Sequence, residues 1–97
     1  MIASGKPFDG VFAVCDAIAF GVLEAFQTAG VDIPRKVRLV GFDGIPAGEL
    51  SNPPLTTIEP DLDQAGRLLV EAVTAGADAE HPSIRRVPVR LLKRSSS

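Results

Sequence analysis

Residues 10–42 read GVFAVCDAIAFGVLEAFQTAGVDIPRKVRLVGF, and the succession of apolar patterns within them decides the fold class. Gly10 to Val14 is a short apolar run behind a Pro7-Phe8-Asp9-Gly10 turn signal. It is too short for a helix and bounded as a buried strand is, so a central strand is expected there. Asp16 then stands where a helix cap should stand. Ile18, Ala19, Val22, Leu23, Phe26 and Ala29 follow at the spacing of one helical face, and Gly30 ends the pattern. Pro34 forbids continuation, and Val37 to Phe42 reads as a second strand, interrupted by Arg38 and Gly41 and closed by Asp43-Gly44. Two strands joined by one helix need a right-handed crossover, which makes them parallel neighbours.

The same grammar continues downstream. Ile45 to Asn52 has room for one or two helical turns before Pro53-Pro54 forces extension, and Leu55 to Ile58 reads as a third strand. Asp61 and Gln64 resemble a capping box opening a helix whose Leu62, Ala65, Leu69, Ala72 and Val73 share a face, ending near Gly76. Asp78 to Pro82 is a polar linker. Val87, Val89 and Leu91 alternate with Arg86, Pro88 and Arg90, giving a last strand with one apolar and one polar face, and Pro88 puts it at a sheet edge. Ser95 to Ser97 is expected to be a disordered tail. The class is therefore α/β, a parallel sheet with flanking helices in the order β-α-β-β-α-β.

Composition bounds the functions open to such a chain. Its 97 residues make one domain at most, 45% hydrophobic and 23% charged with a net charge of −2, which fits a globular protein and gives no push toward nucleic acid. No apolar run approaches the roughly 18 residues of a membrane span, and the first residues carry no secretion signal, so a cytoplasmic chain is expected. The one cysteine, Cys15, can form neither an internal disulfide nor a zinc site. His81 is the only histidine and lies in the polar linker, far in sequence from Cys15, so no nucleophile-base pair can be assembled. Neither an enzyme nor a cofactor is expected. Arg85, Arg86, Arg90, Lys93 and Arg94 crowd the last strand, where positive charge on a solvated edge discourages aggregation.

In a parallel α/β sheet, ligands bind beyond the carboxyl ends of the strands. Cys15-Asp16 ends the first strand, Asp43 the second and Glu59-Pro60 the third. A carboxylate such as Asp43 can accept hydrogen bonds from two vicinal hydroxyls of a sugar at once. An Asp at a strand end, as Asp43 and Asp16 are, is more often a turn former or a helix cap than a ligand contact, and a residue such as Cys15 is more often a small buried hydrophobe.

Leu39-Val40-Gly41-Phe42-Asp43, followed by Pro53-Pro54-Leu55-Thr56-Thr57-Ile58, resembles the signature of lactose/galactose-type repressors. Phe12-Ala13-Val14-Cys15-Asp16-Ala17-Ile18-Ala19-Phe20-Gly21 resembles their strand-helix element, and Leu91-Leu92-Lys93-Arg94 their closing strand. The resemblance runs from about Pro7 to Arg94. It implies a periplasmic-binding-protein-like core of two lobes that holds a small effector, a sugar or sugar derivative, in a protein that dimerises and meets operator DNA through an amino-terminal domain absent from this chain. A sugar-binding protein of an uptake transporter is the alternative on the same fold.

By that resemblance residues 7–59 and 83–94 belong to the carboxy-terminal effector lobe and residues 60–82 to a helix of the other lobe. Asp43 looks like the sugar-hydroxyl acceptor, with Cys15, Asp16 and Pro60 beside the effector. Cys15 stands where the family usually has Asn, and Pro60 where many members have Gln, and both changes remove an amide. The resemblance places Phe20, Leu23 and Glu24, with Ala47, Glu49 and Leu50, at the subunit interface, while Phe20 reads equally well as core.

Overall fold

A computed structural model of the chain describes residues 5–75 and 84–97. The elements run β1 (Gly10–Phe12), α1 (Asp16–Thr28), β2 (Arg38–Phe42), a 3-10 turn (Pro46–Glu49), β3 (Thr56–Pro60), α2 (Leu62–Thr74) and β4 (Val89–Leu92). This is the expected β-α-β-β-α-β order of an α/β chain. The described strands form one sheet in the order β1-β2-β3-β4. β1, β2 and β3 are parallel, with Val11 opposite Leu39 and Gly41 opposite Thr57. β4 runs the other way along β3: the Asp61 N–H donates to the Pro88 carbonyl, while the Arg94 N–H, past the opposite end of β4, donates to Thr56 Oγ1. The sheet is thus mixed, and β4 lies at its edge, where Pro88 removes no ladder bond.

The chain divides into two compact units, one spanning Met1–Glu59 and Leu91–Ser97, the other Pro60–Arg90. The first holds the core. Side chains two apart on a strand face the same side, so Leu39 and Gly41 both look toward α1. Helical spacing brings Ala19, Leu23 and Phe26 to one buried face of α1. Ala13, Ala19, Leu23, Leu39 and Leu55 form the packed cluster, flanked by Val11, Phe20, Val22 and Ile33. Gly41 lets α1 approach, since a Cβ there would press on the Asp16 carboxylate and stand 3.4 Å from the Ala19 methyl. Phe8 stacks on Phe26 at a centroid distance of 6.2 Å. In the second unit, the Asp61 carboxylate caps α2 by accepting the Gln64 N–H at 3.0 Å, as the capping-box spacing predicts. α2 has no buried residue.

Four expectations are corrected. β1 is not central: it ends the sheet order, and Phe12 and Val14 are 62% and 70% exposed. Parallel strands are buried when both faces are covered, and among the described residues the face of β1 that carries Phe12 and Val14 is open. Ile18 falls off the helix stripe and is exposed, because the face aimed at the sheet is centred on Ala19 and Leu23. Val89 and Leu91 of β4 are also exposed, so that strand has no buried apolar face.

The serine tail is the fourth correction. Ser96 is fully buried. Its N–H donates to the Pro54 carbonyl, its own carbonyl accepts the Leu39 N–H, and its hydroxyl bridges the Thr56 N–H and the Leu39 carbonyl at 2.8 and 2.7 Å. β2 and β3 leave these main-chain groups without ladder partners at the amino ends of the strands, and a short hydroxyl residue satisfies both at once. Gly76, the linker Asp78 to Pro82 and His81 lie outside the described residues.

Candidate ligand-binding edge at Asp43

β2 ends at Phe42, and the chain turns at once through Asp43 and Gly44. Asp43 has φ 124, the only non-glycine positive φ among the described residues. Such backbone strain costs on the order of 1–3 kcal/mol and persists only where the surroundings over-determine it.

They do so here. The Asp43 N–H donates to the Ile58 carbonyl at 2.9 Å, and the Gly44 N–H to Thr57 Oγ1 at 3.2 Å. The Ile45 N–H donates to Asp16 Oδ2 at 2.9 Å, and the Thr57 hydroxyl to Asp16 Oδ1 at 2.6 Å. Gly44, at φ +70, lies so close to β3 that a Cβ would stand 2.7 Å from the Glu59 Cβ. Three successive main-chain N–H groups are thereby tied to β3 and to the start of α1, and the Asp43 residue they flank is exposed. An exposed carboxylate on a pinned turn beyond a strand end can accept two hydroxyl donors without first being ordered.

Asp16 departs from expectation. It is the first residue of α1, not its cap; Cys15 takes that place without a side-chain bond. Asp16 is fully buried with both carboxylate oxygens engaged by the chain itself, so it has no surface to offer an effector. A carboxylate in the first turn is favoured by the positive end of the helix dipole. Cys15 is half-buried and its thiol is free. Glu59 and Pro60, at the end of β3, are both half-buried. Thr57 escapes a sequence reading because a Thr in a strand looks like strand propensity alone.

Away from this edge, Phe20 is half-buried against the core, while Glu24, Ala47, Glu49 and Leu50 are exposed. Leu23 is 5% exposed and belongs to the core, which corrects its reading as an interface residue. Arg94 is not a solvated edge charge either. Its guanidinium donates to the Leu55 carbonyl at 3.0 Å, lies 3.6 Å from the Glu49 carboxylate, and fills the space left by Gly48. Among the described residues no group of acidic, Cys or His side chains has metal-holding geometry, and no helix is long and apolar enough to cross a membrane.

The model of the periplasmic binding protein-like domain matches residues 1–97. The chain is 41% identical over 77 residues to the ribose operon repressor of Halalkalibacterium halodurans, a match covering 75% of this chain and 23% of that protein. Among solved structures it resembles a LacI-type transcription regulator from Bifidobacterium animalis subsp. lactis, with a TM-score of 0.83 and 34% identity over 99% of this chain and 35% of that one. It also resembles a LacI family regulator from Enterococcus faecium with bound ribose, with a TM-score of 0.77 and 31% identity over 99% and 37% of the two chains. The chain thus spans about a quarter to two fifths of the length of these proteins.

Proposed function

Since this chain belongs to the periplasmic-binding-protein-like domain family, in the lactose/galactose-repressor (LacI/GalR) branch of it, we propose that it supplies part of the effector-binding domain of a sugar-responsive transcriptional regulator. The observation that carries the reading is the exposed Asp43 held at φ 124 by a fully bonded turn beyond β2. Strain kept at a ligand-facing position points to a fixed acceptor for paired hydroxyls. The ribose bound to the Enterococcus faecium regulator supports a pentose or related sugar as the effector class. The relatives named are regulators, which favours this reading over an uptake binding protein.

In this reading residues 7–59 and 83–94, with Asp43 among them, belong to the carboxy-terminal lobe, and residues 60–82 to the other lobe. Cys15 and Pro60 border the effector and narrow its range, since neither offers the amide usual in the family. Phe20, Glu24, Ala47, Glu49 and Leu50 contribute to a homodimer surface, operator DNA is met through a separate domain, and the protein works in the cytoplasm without cofactor or catalysis. Effector binding then shifts the populations of lobe arrangements.

The test is calorimetric titration of the protein carrying this chain with ribose, xylose, glucose, galactose and lactose. One of them should bind at micromolar concentration, and Asp43→Ala should weaken it by about 2–3 kcal/mol, the range for a charged hydrogen-bonding partner. Equal affinity of wild type and Asp43→Ala would remove Asp43 from the site.

A further inference from the structure

The buried Asp16 carboxylate has been left without a functional role, and its partners suggest one. Its two oxygens reach opposite ends of one device: Oδ2 takes the N–H of Ile45 on the turn after Asp43, and Oδ1 takes the hydroxyl of Thr57 on β3. The same Thr57 oxygen accepts the N–H of Gly44. Gly41 clears the space for the carboxylate, because any side chain there would collide with it. A charge-bearing group with no solvent exposure, placed at the amino end of α1 and committed to two loop-fixing bonds, does more than begin a helix.

We infer that Asp16, acting through Thr57, is the positioning residue of the turn that presents Asp43 to the effector. The strained φ of Asp43 needs continuous restraint on both sides. On its amino side the restraint is the Asp43 N–H bond to Ile58; on its carboxyl side it is the Gly44 and Ile45 N–H groups, and both of those terminate on the Asp16–Thr57 pair. Without the pair, Gly44 and Ile45 are free to relax and Asp43 reverts to an unstrained φ, which turns its carboxylate away from the direction it now holds. The effector half of this inference rests on Asp43 being the sugar acceptor; the restraint of the turn does not.

The experiment separates the two. In the protein carrying this chain, amide exchange at Gly44 and Ile45 is measured against exchange at Leu39, whose N–H is held by Ser96. In Asp16→Asn and Thr57→Val the Gly44 and Ile45 rates, relative to Leu39, rise about tenfold or more, the effect of losing a charge-assisted bond. Thr57→Ser keeps the hydroxyl and leaves the ratio as in wild type. An unchanged ratio in both disrupting variants overturns the inference, and so does a rise with Thr57→Ser equal to that with Thr57→Val. The second arm titrates ribose. With Asp43→Ala weakening binding by about 30-fold or more, Asp16→Asn raises the dissociation constant about tenfold while the midpoint of unfolding moves less than it does in Leu39→Ala. Wild-type affinity in Asp16→Asn, with Asp43→Ala weakened, overturns the positioning role. Should Asp43→Ala bind ribose as wild type does, the acceptor reading fails instead, and the exchange ratio alone decides whether the pair restrains the turn.

Discussion

Leu39 and Ser96 are bound to each other twice, the Leu39 N–H to the Ser96 carbonyl at 2.7 Å and the Ser96 hydroxyl to the Leu39 carbonyl at 2.7 Å. The hydroxyl also accepts the Thr56 N–H. Replacing it by hydrogen leaves a buried donor and a buried acceptor unsatisfied, each costing about 1–3 kcal/mol. Ser96→Ala should therefore destabilise the protein by roughly 2–4 kcal/mol in urea denaturation. Ser95→Ala, at an exposed position, should change it by less than about 0.5 kcal/mol. Equal effects at the two serines would mean that the tail does not clip β2 to β3.

That tail marks where sequence reading stops. Local patterns carry far: the spacing of Ala19, Leu23 and Phe26 finds α1, Gly30 and Pro34 find its end, and Asp61 with Gln64 finds the start of α2, because each pattern is written within a few residues. The long-range partnerships are not legible. Asp16 looks like a cap because Asp before an apolar stripe usually is one, yet its partners lie 29 and 41 positions away. Three serines and a basic run read as a solvated end, yet Ser96 is drawn in by main-chain groups of β2 and β3, and Arg94 by the Leu55 carbonyl and the open space beside Gly48, which no spacing rule reports. Asp43 is legible as a strand-end carboxylate, but its strained φ is not, being a tertiary property.

That strain yields a second prediction. At φ 124 aspartate is strained and glycine is not, so Asp43→Gly should relieve about 1–3 kcal/mol of strain against a glycine entropy cost of roughly 0.5–1 kcal/mol. The variant should be more stable than wild type by about 1 kcal/mol in thermal or urea unfolding, while its affinity for the sugar effector is lost. A clear loss of stability would show that the Asp43 side chain helps to hold the turn rather than being borne by it.

Exposed and buried leucines should behave very differently. Leu39, on β2, is fully buried on the face that packs against α1, whereas Leu69 on α2 is 69% exposed. Leu39→Ala should cost about 2–5 kcal/mol through lost transfer energy and the cavity left behind. Leu69→Ala removes little buried area, and alanine is the better helix former, so its effect should stay within roughly 0.5 kcal/mol. If Leu69→Ala proves as costly as Leu39→Ala in urea denaturation, the α2 face is covered in solution.

Two glycines give the last contrast, one on the open surface of α1 and one packed within β2. A Cβ on Gly21, on the exposed face of α1, meets no atom within 4 Å. Alanine there should stabilise the protein by about 0.5–1 kcal/mol, by removing backbone freedom from the unfolded chain and favouring the helix. A Cβ on Gly41 runs into the Asp16 carboxylate and stands 3.2 Å from a Leu55 methyl. The backbone of β2 cannot yield without disturbing its pairing on both sides, and Asp16 cannot yield without releasing Ile45 or Thr57. Gly41→Ala should therefore cost about 1–3 kcal/mol, the range for overpacking, and should speed amide exchange at Gly44 and Ile45 as Asp16→Asn does. Destabilisation without that local exchange would place the strain in the Leu55 contact and leave the Asp16 bonds intact, whereas tolerance of alanine at Gly41 would mean that the carboxylate has room to move.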